Sequence, residues 1–173
     1  METVHIARVE TPIGAIRLAS TEKGLAYVEL PKAAGCGLRG WLHRCVPDAR
    51  CVESRENNRK AIAQILEYLD GERTEFDLPL DLRGTEFQRA VWRELRAIPF
   101  GERRSYREVA EAVGRPKAVR AVGAANGSNP VSLIVPCHRV VNSDGKLGGY
   151  GGGLALKARL LEMEACAGGD RLF

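Results

Sequence analysis

One short segment holds the most reactive groups of this 173-residue chain. Asn129-Pro130-Val131-Ser132-Leu133-Ile134-Val135-Pro136-Cys137-His138-Arg139-Val140-Val141 runs from a turn, through an apolar stretch, into a thiol, an imidazole and a guanidinium. A free thiol titrates near pH ~8.5, and apolar surroundings lower its small thiolate fraction further unless a base or cation stands by. His138 and Arg139 are the adjacent helpers. Sequence neighbours do not face each other on a helix, so His138 is expected to act on Cys137 through a bridging water. The bland alternative for a lone buried cysteine is an inert small hydrophobe. Asn129, opening an Asn-Pro turn, is expected to set the angle at which the apolar run delivers Cys137. Further on, Glu164 has Leu160, Leu161 and Ala165 around it, where a carboxylate either reaches out to water or pairs with an imidazole. Between them Gly148-Gly149-Tyr150-Gly151-Gly152-Gly153 lacks the phosphate-cradling spacings; it suits close backbone approach to a flat ligand over which Tyr150 closes.

Composition bounds what these groups serve. At 45% hydrophobic and 28% charged, the chain suits one ordinary domain or two small ones. Its longest apolar stretch, Val131 to Cys137, is far short of the ~20 residues of a bilayer helix. The start, Met-Glu-Thr-Val-His-Ile-Ala-Arg, has charges where a secretory signal has its apolar core, so a cytoplasmic location is expected. Five cysteines, at 36, 45, 51, 137 and 166, read as free thiols in a reducing compartment. The net charge of +4 is uneven: residues 112–160 carry seven basic side chains against Asp144 alone. Such a local excess fits a polyanionic partner such as nucleic acid, or else a solvated basic face.

The elements that position the reactive groups follow from periodicity. Val4, Ile6, Arg8, then Ile16, Leu18, then Leu25, Tyr27, Val28 form short alternating runs around turn-type clusters, predicting a three-stranded meander. Ile62, Ile65, Leu66 and Leu69 predict a helix over 54–70 with Ser54 as its cap and Gly71 as its stop. Gly35 to Cys51 is ambiguous, with one or two helical turns at Trp41–Arg44. The proline and charge change in 78–84 mark a boundary between domains at 1–80 and 84–173. Beyond it, Thr85-Glu86-Phe87-Gln88 and Ser105-Tyr106-Arg107-Glu108 are capping boxes opening two helices, and Pro116 suits the first position of a third through Ala125. The last two make a helix-turn-helix candidate whose second helix, Arg120-Ala121-Val122-Gly123-Ala124-Ala125, has almost no side chains long enough to read base edges. It suits close approach to a backbone or minor groove, with Arg120 projecting, or else tight internal packing. A last helix spans Leu154 to Ala167.

Taken together, Phe87-Gln88-x-x-Val91-Trp92, Ile98-Pro99-x-Gly101, Ser105-Tyr106, Arg120-Ala121-Val122-Gly123, Asn129-Pro130, Pro136-Cys137-His138-Arg139-Val140-Val141, Gly149-Tyr150 and Lys157-x-x-Leu160-Leu161-x-x-Glu164 resemble the O6-alkylguanine-DNA alkyltransferases, or methylated-DNA–protein-cysteine methyltransferases. The resemblance implies an α+β fold: a ribonuclease-H-like N-terminal domain of sheet and helix, and a helical C-terminal domain with a helix-turn-helix. It implies DNA repair by irreversible transfer of the alkyl group from O6-alkylguanine, and O4-alkylthymine, in double-stranded DNA to Cys137. By the same resemblance, His138 acts through water with Glu164 to generate the thiolate, and Asn129 supports the site. Arg120 fills the gap left by the flipped base, with Ala121 and Gly123 on the same DNA-facing helix. Tyr106 lies at the rotated phosphate, and Tyr150 lies against the base. The carbonyls of Cys137 and Val140 accept from the guanine amino group, and the Gly151 N–H donates to O6. Turnover is single, the protein a monomer, no cofactor is used and no membrane is engaged. Zinc held by some relatives is not expected, since Glu2, Thr21 and Ala26 stand at the ligand positions; Cys36, His43, Cys45 and Cys51 have no common zinc spacing. Asn126 stands where relatives often carry another pocket-wall residue, and Gly152, at a position bulky in some relatives, implies room for groups larger than methyl. A lesion-binding relative without transfer, a thiol hydrolase and a helix-turn-helix regulator are the rival readings.

Overall fold

Alternating apolar residues at the chain's start build antiparallel strands β1 (Thr3–Thr11), β2 (Gly14–Thr21) and β3 (Gly24–Glu29), the expected meander, in a computed structural model that describes residues 1–33 and 35–166. After helix α1 (Gly37–Cys45), strand β4 (Arg50–Glu53) joins β1 in parallel, giving the sheet order β3-β2-β1-β4. Periodicity does not announce β4. Its side chains are exposed or half-buried, and it is held by backbone bonds such as Arg50 N–H to Glu2 O and Ser54 N–H to Ile6 O. A polar, short edge strand needs no apolar face. The ambiguous segment before it is helical because Leu38 and Trp41 bury against Val4, Ala19, Ala26 and Val46.

Helix α2 (Arg59–Leu69) buries Ile62, Ile65 and Leu69 as the spacing predicts, but it begins later than expected. Ser54 is not its cap. The Ser54 hydroxyl instead bonds Asn57, and Asn58, at the cap position, spends its amide on the carbonyls of His5 and Ser54. The chain then returns along β3, where Leu25 N–H donates to Pro79 O and Asp81 N–H to Leu25 O. Gly24 is required at that approach: at φ +140° a Cβ there would lie 2.2 Å from the Pro79 carbonyl oxygen.

The chain divides into two compact units, one of Met1–Arg83 and one beginning at Gly84. Pro130–Ser132 cluster with the first unit, where the Pro130 carbonyl accepts from Val28 N–H. In the second unit both expected capping boxes form. Thr85 with Gln88 opens α3 (Glu86–Arg96), and Ser105 with Glu108 opens α4 (Tyr106–Ala112). Helix α5 (Val119–Gly127) starts later than the sequence suggests: Pro116 lies in a turn closed by Ala118 N–H to Arg115 O, so it precedes the helix rather than opening it. Small residues lie on both sides of α5. Ala125 packs inward, its carbonyl accepting from Trp92 Nε1 at 2.8 Å, while Ala121 and Ala124 are exposed and a Cβ on Gly123 would meet nothing within 4 Å. A single 3-10 turn, η1 (Cys137–Arg139), leads into strand β6 (Val140–Val141), which pairs in parallel with β5 (Arg104–Ser105). Helix α6 (Leu154–Ala165) follows; Ala167, the expected last helical residue, lies outside the described residues. The fold is thus α+β, a sheet-and-helix unit followed by a helical one with an α4–α5 helix-turn-helix. Among the described residues no helix is long and apolar enough to cross a membrane.

Candidate active site around Cys137

Cys137 reaches its position through a strained turn. Asn129, just past α5, donates through Nδ2 to Val135 O at 2.7 Å, spanning the loop that leads to the thiol. Inside that loop Leu133 sits at φ +76° with its side chain fully buried. A left-handed conformation costs a branched side chain about 1–2 kcal/mol, which burial and the Asn129 tie offset. No sequence signal marks it, because leucine is an unexpected occupant of that region. Pro136 then hands the chain to η1, in which Cys137, His138 and Arg139 are all buried, at 5%, 0% and 6% exposure.

The charge pattern around the thiol comes from α6. Glu164, 1% exposed, takes His138 Nε2 at 2.8 Å and Arg139 in a two-pronged pair, Nε at 2.9 Å to one oxygen and Nη2 at 2.8 Å to the other. Arg139 Nη1 adds a bond to Ile98 O at 2.7 Å. Of the two fates open to Glu164, pairing with an imidazole is the one realised. Arg139 departs from the expected part: it is committed to Glu164 and Ile98 rather than serving the thiol as a neighbouring cation. Burial works against ionising Glu164, but the bonds from His138 and Arg139 outweigh it and hold the carboxyl down to about 2. Burial pushes His138 below the usual imidazole range, more than Glu164 restores. The pair therefore holds an ionised carboxylate, neutralised by Arg139, and a neutral imidazole. Because a carboxylate only accepts, His138 Nε2 carries the hydrogen and Nδ1 keeps the basic lone pair.

Burial pushes the Cys137 thiol up, while a bond from the Asn129 side chain and the field of Lys157 pull it back without cancelling the rise. The resting group is a thiol that needs a base at the moment of reaction. Lys157 is the residue that the motif reading left without a role. Fully buried, its ammonium donates to Val140 O at 2.6 Å, to Gly149 O at 3.1 Å and to Leu147 O, tying the loop after β6 to the site. Burial lowers it to about 8 against the opposing pull of Cys137. A signal did exist: Lys157, Leu160, Leu161 and Glu164 fall at i, i+3, i+4 and i+7, so both charged groups sit on the apolar stripe of α6.

Tyr150 packs edge-on against the His138 ring, centroids 6.4 Å apart, and its buried hydroxyl has no hydrogen-bond partner among the described residues. Tyr106, half-buried at the start of α4, lies against the glycine loop, where a Cβ on Gly148 would come within 3.1 Å of its ring and hydroxyl. Val140 is fully buried, and Gly151 is exposed with nothing within 4 Å of an added Cβ. The structure thus gathers Cys137, His138, Glu164, Asn129, Val140 and Tyr150. Arg120 and Ala121 are exposed on α5, and no bond ties either to that group. Among the described residues no three or more His, Cys, Asp or Glu side chains are grouped to hold a metal ion.

Comparison with known proteins bears on what this arrangement is for. The model of the 6-O-methylguanine DNA methyltransferase ribonuclease-like domain matches residues 4–82, and that of the DNA-binding domain of the same name matches residues 86–166. A Methanosarcina acetivorans protein named methylated-DNA–protein-cysteine methyltransferase is 47% identical over 161 residues, covering 93% of this chain and 98% of its own. One of the same name from Mycolicibacterium paratuberculosis is 47% identical over 162 residues, covering 93% and 92%. A crystal structure of Mycobacterium tuberculosis OGT in complex with DNA shares 42% identity, covers 97% of each chain and superposes with a TM-score of 0.83. With both halves matched in order and this level of identity across nearly its whole length, the chain belongs to the 6-O-methylguanine DNA methyltransferase family.

Proposed function

We propose that the protein repairs DNA by moving the alkyl group of O6-alkylguanine, and of O4-alkylthymine, onto Cys137 in one irreversible turnover. The observation that carries this reading is a thiol in the same buried turn as a neutral imidazole whose basic nitrogen is set by an ionised carboxylate. The sulfur bonds to the alkyl carbon as the carbon–O6 bond breaks, and that electron pair goes to the purine. His138 takes the thiol proton through a water, and the leaving base takes up a proton in turn. Asn129 holds the loop and the sulfur, and Glu164 orients His138. The Gly151 N–H steadies the charge that develops on O6, and Tyr106 donates to the base. The product is a thioether, which offers water no good leaving group, so each molecule acts once.

A base in a duplex is out of reach of a buried sulfur, so it is extruded, at a cost of a few kcal/mol that is least for a base whose pairing is already damaged. Arg120 enters the space it leaves, and the small-residue face of α5, with exposed Ala121 and half-buried Gly123, lies along the DNA. The +6 balance of residues 112–160 supports a duplex partner. The protein acts as a cytoplasmic monomer, with residues 1–80 as a supporting domain and 84–173 carrying the chemistry. Five free cysteines fit a reducing compartment, and among the described residues the exposed large hydrophobic ones, Met1, Val119 and Leu154, are too few for a sizeable self-interface. The test is to mix the protein with duplex DNA containing O6-methylguanine and follow intact mass. One methyl group per molecule on the Cys137 peptide, absent from Cys137→Ser, is expected; tight binding with no change in mass would overturn the assignment.

A further inference from the structure

We propose that Asn126 is a specificity-determining residue, its side-chain oxygen accepting from the 2-amino group of the extruded guanine. The inference rests on the function proposed above. It starts from a count of acceptors beside the sulfur. The Cys137 carbonyl already accepts twice, from Val140 N–H and from Asn126 Nδ2 at 3.4 Å, which uses both of its lone pairs. The Val140 carbonyl already takes the Lys157 ammonium at 2.6 Å. Of the two carbonyls that the family resemblance offers to the guanine amino group, that of Cys137 is therefore filled, and that of Val140 keeps one lone pair, before any base arrives.

A wholly unused acceptor stands beside them in Asn126 Oδ1, which is buried and has no hydrogen-bond partner among the described residues. The amide cannot be turned to relieve this, because turning it would set Oδ1 against the Cys137 carbonyl oxygen. Asn126 is 5% exposed on the inner side of α5, so the oxygen is also cut off from bulk water. A buried acceptor without a donor is a standing cost that a ligand's N–H relieves. When Cys137 attacks the carbon on O6, the edge of the base bearing O6 faces the sulfur, and in guanine that edge also carries the 2-amino group. Asn126, bonded to the carbonyl of Cys137 itself, presents an amide oxygen with unused acceptor capacity at that place. Thymine has no such amino group, so the same contact favours guanine lesions over thymine lesions.

The test compares transfer rates from duplexes carrying O6-methylguanine or O6-methylhypoxanthine, the same base without the 2-amino group. The native protein is expected to react about tenfold faster with the guanine. In Asn126→Leu and Asn126→Ala the ratio should fall at least threefold, carried by a slower guanine reaction. Each ratio is read on a single preparation, so partial loss of folded protein cancels. An undiminished ratio in both variants, or no preference in the native protein, overturns the role of Asn126 while leaving alkyl transfer intact. No transfer by the native protein from either base would instead overturn the function on which this inference stands.

Discussion

Replacing Glu164 by Gln exchanges a carboxylate oxygen for an amide nitrogen and removes the carboxylate that His138 and Arg139 share. In the folded protein this carboxyl is held at about 2, against about 4.3 for an unperturbed glutamate. A difference of about two units corresponds to about 3 kcal/mol of stability at neutral pH. The sign is that of a depressed acid: the contribution is complete above the unfolded value and is lost as pH falls through the folded one. Denaturant unfolding should place Glu164→Gln about 3 kcal/mol below the native protein at pH 7, and the gap should close between about pH 5 and pH 2 as the native carboxyl is neutralised. Transfer should slow by 10²–10³, within the range general base catalysis supplies, because an amide can present N–H as readily as oxygen to His138 Nε2. Stability is read from urea midpoints across pH, and rate from single-turnover mass spectrometry. A gap that stays constant down to pH 2 would refute an ionised Glu164, and an unchanged rate would refute its hold on the imidazole.

Other perturbations test other parts of the molecule. Lys157→Met removes the ammonium that pulls the Cys137 thiol down and ties three loop carbonyls. The pH midpoint of Cys137 modification by iodoacetamide should move up and amides of residues 142–153 should exchange faster; an unmoved midpoint would separate Lys157 from the sulfur. Arg120→Ala should slow transfer from duplex DNA at least tenfold yet leave reaction with a free O6-benzylguanine base unchanged, since Arg120 is exposed on α5 and not bonded to the Cys137 group; equal loss on both substrates would place it in the chemistry instead. Gly24→Ala puts a methyl group 2.2 Å from the Pro79 carbonyl oxygen at a φ of +140°. A loss of about 2–4 kcal/mol in unfolding free energy is expected, and a loss below 0.5 kcal/mol would show that this approach relaxes easily.

Much of the molecule was legible because it depends on residues close together in the chain. The boxes at Thr85–Gln88 and Ser105–Glu108 close within one helical turn, so local chemistry is enough to place α3 and α4. The alternation of β1 to β3 and the stripe of α2 are likewise short-range periodicities. The same reasoning misplaced what distant contacts decide. The start of α2 was drawn to Ser54, but the Asn58 amide is claimed by His5, 53 residues away; β4 exists because β1 offers it backbone partners; Pro116 is held in a turn ahead of α5.

The order and identity of the groups, above all the Cys137-His138-Arg139 cluster and the family its motifs resemble, were set by the chain alone, since they are properties of residue types at fixed spacings. Folding decided their partnerships. Whether Glu164 reached for water or for His138, whether Arg139 served the sulfur or the carboxylate, and whether Lys157 and Asn126 faced the site at all depended on α5, η1, β6 and α6 meeting across 11 to 26 positions of sequence. Side-chain pairing at such separations is settled by packing and by the cost of leaving buried charge unpaired, and neither is written in local periodicity.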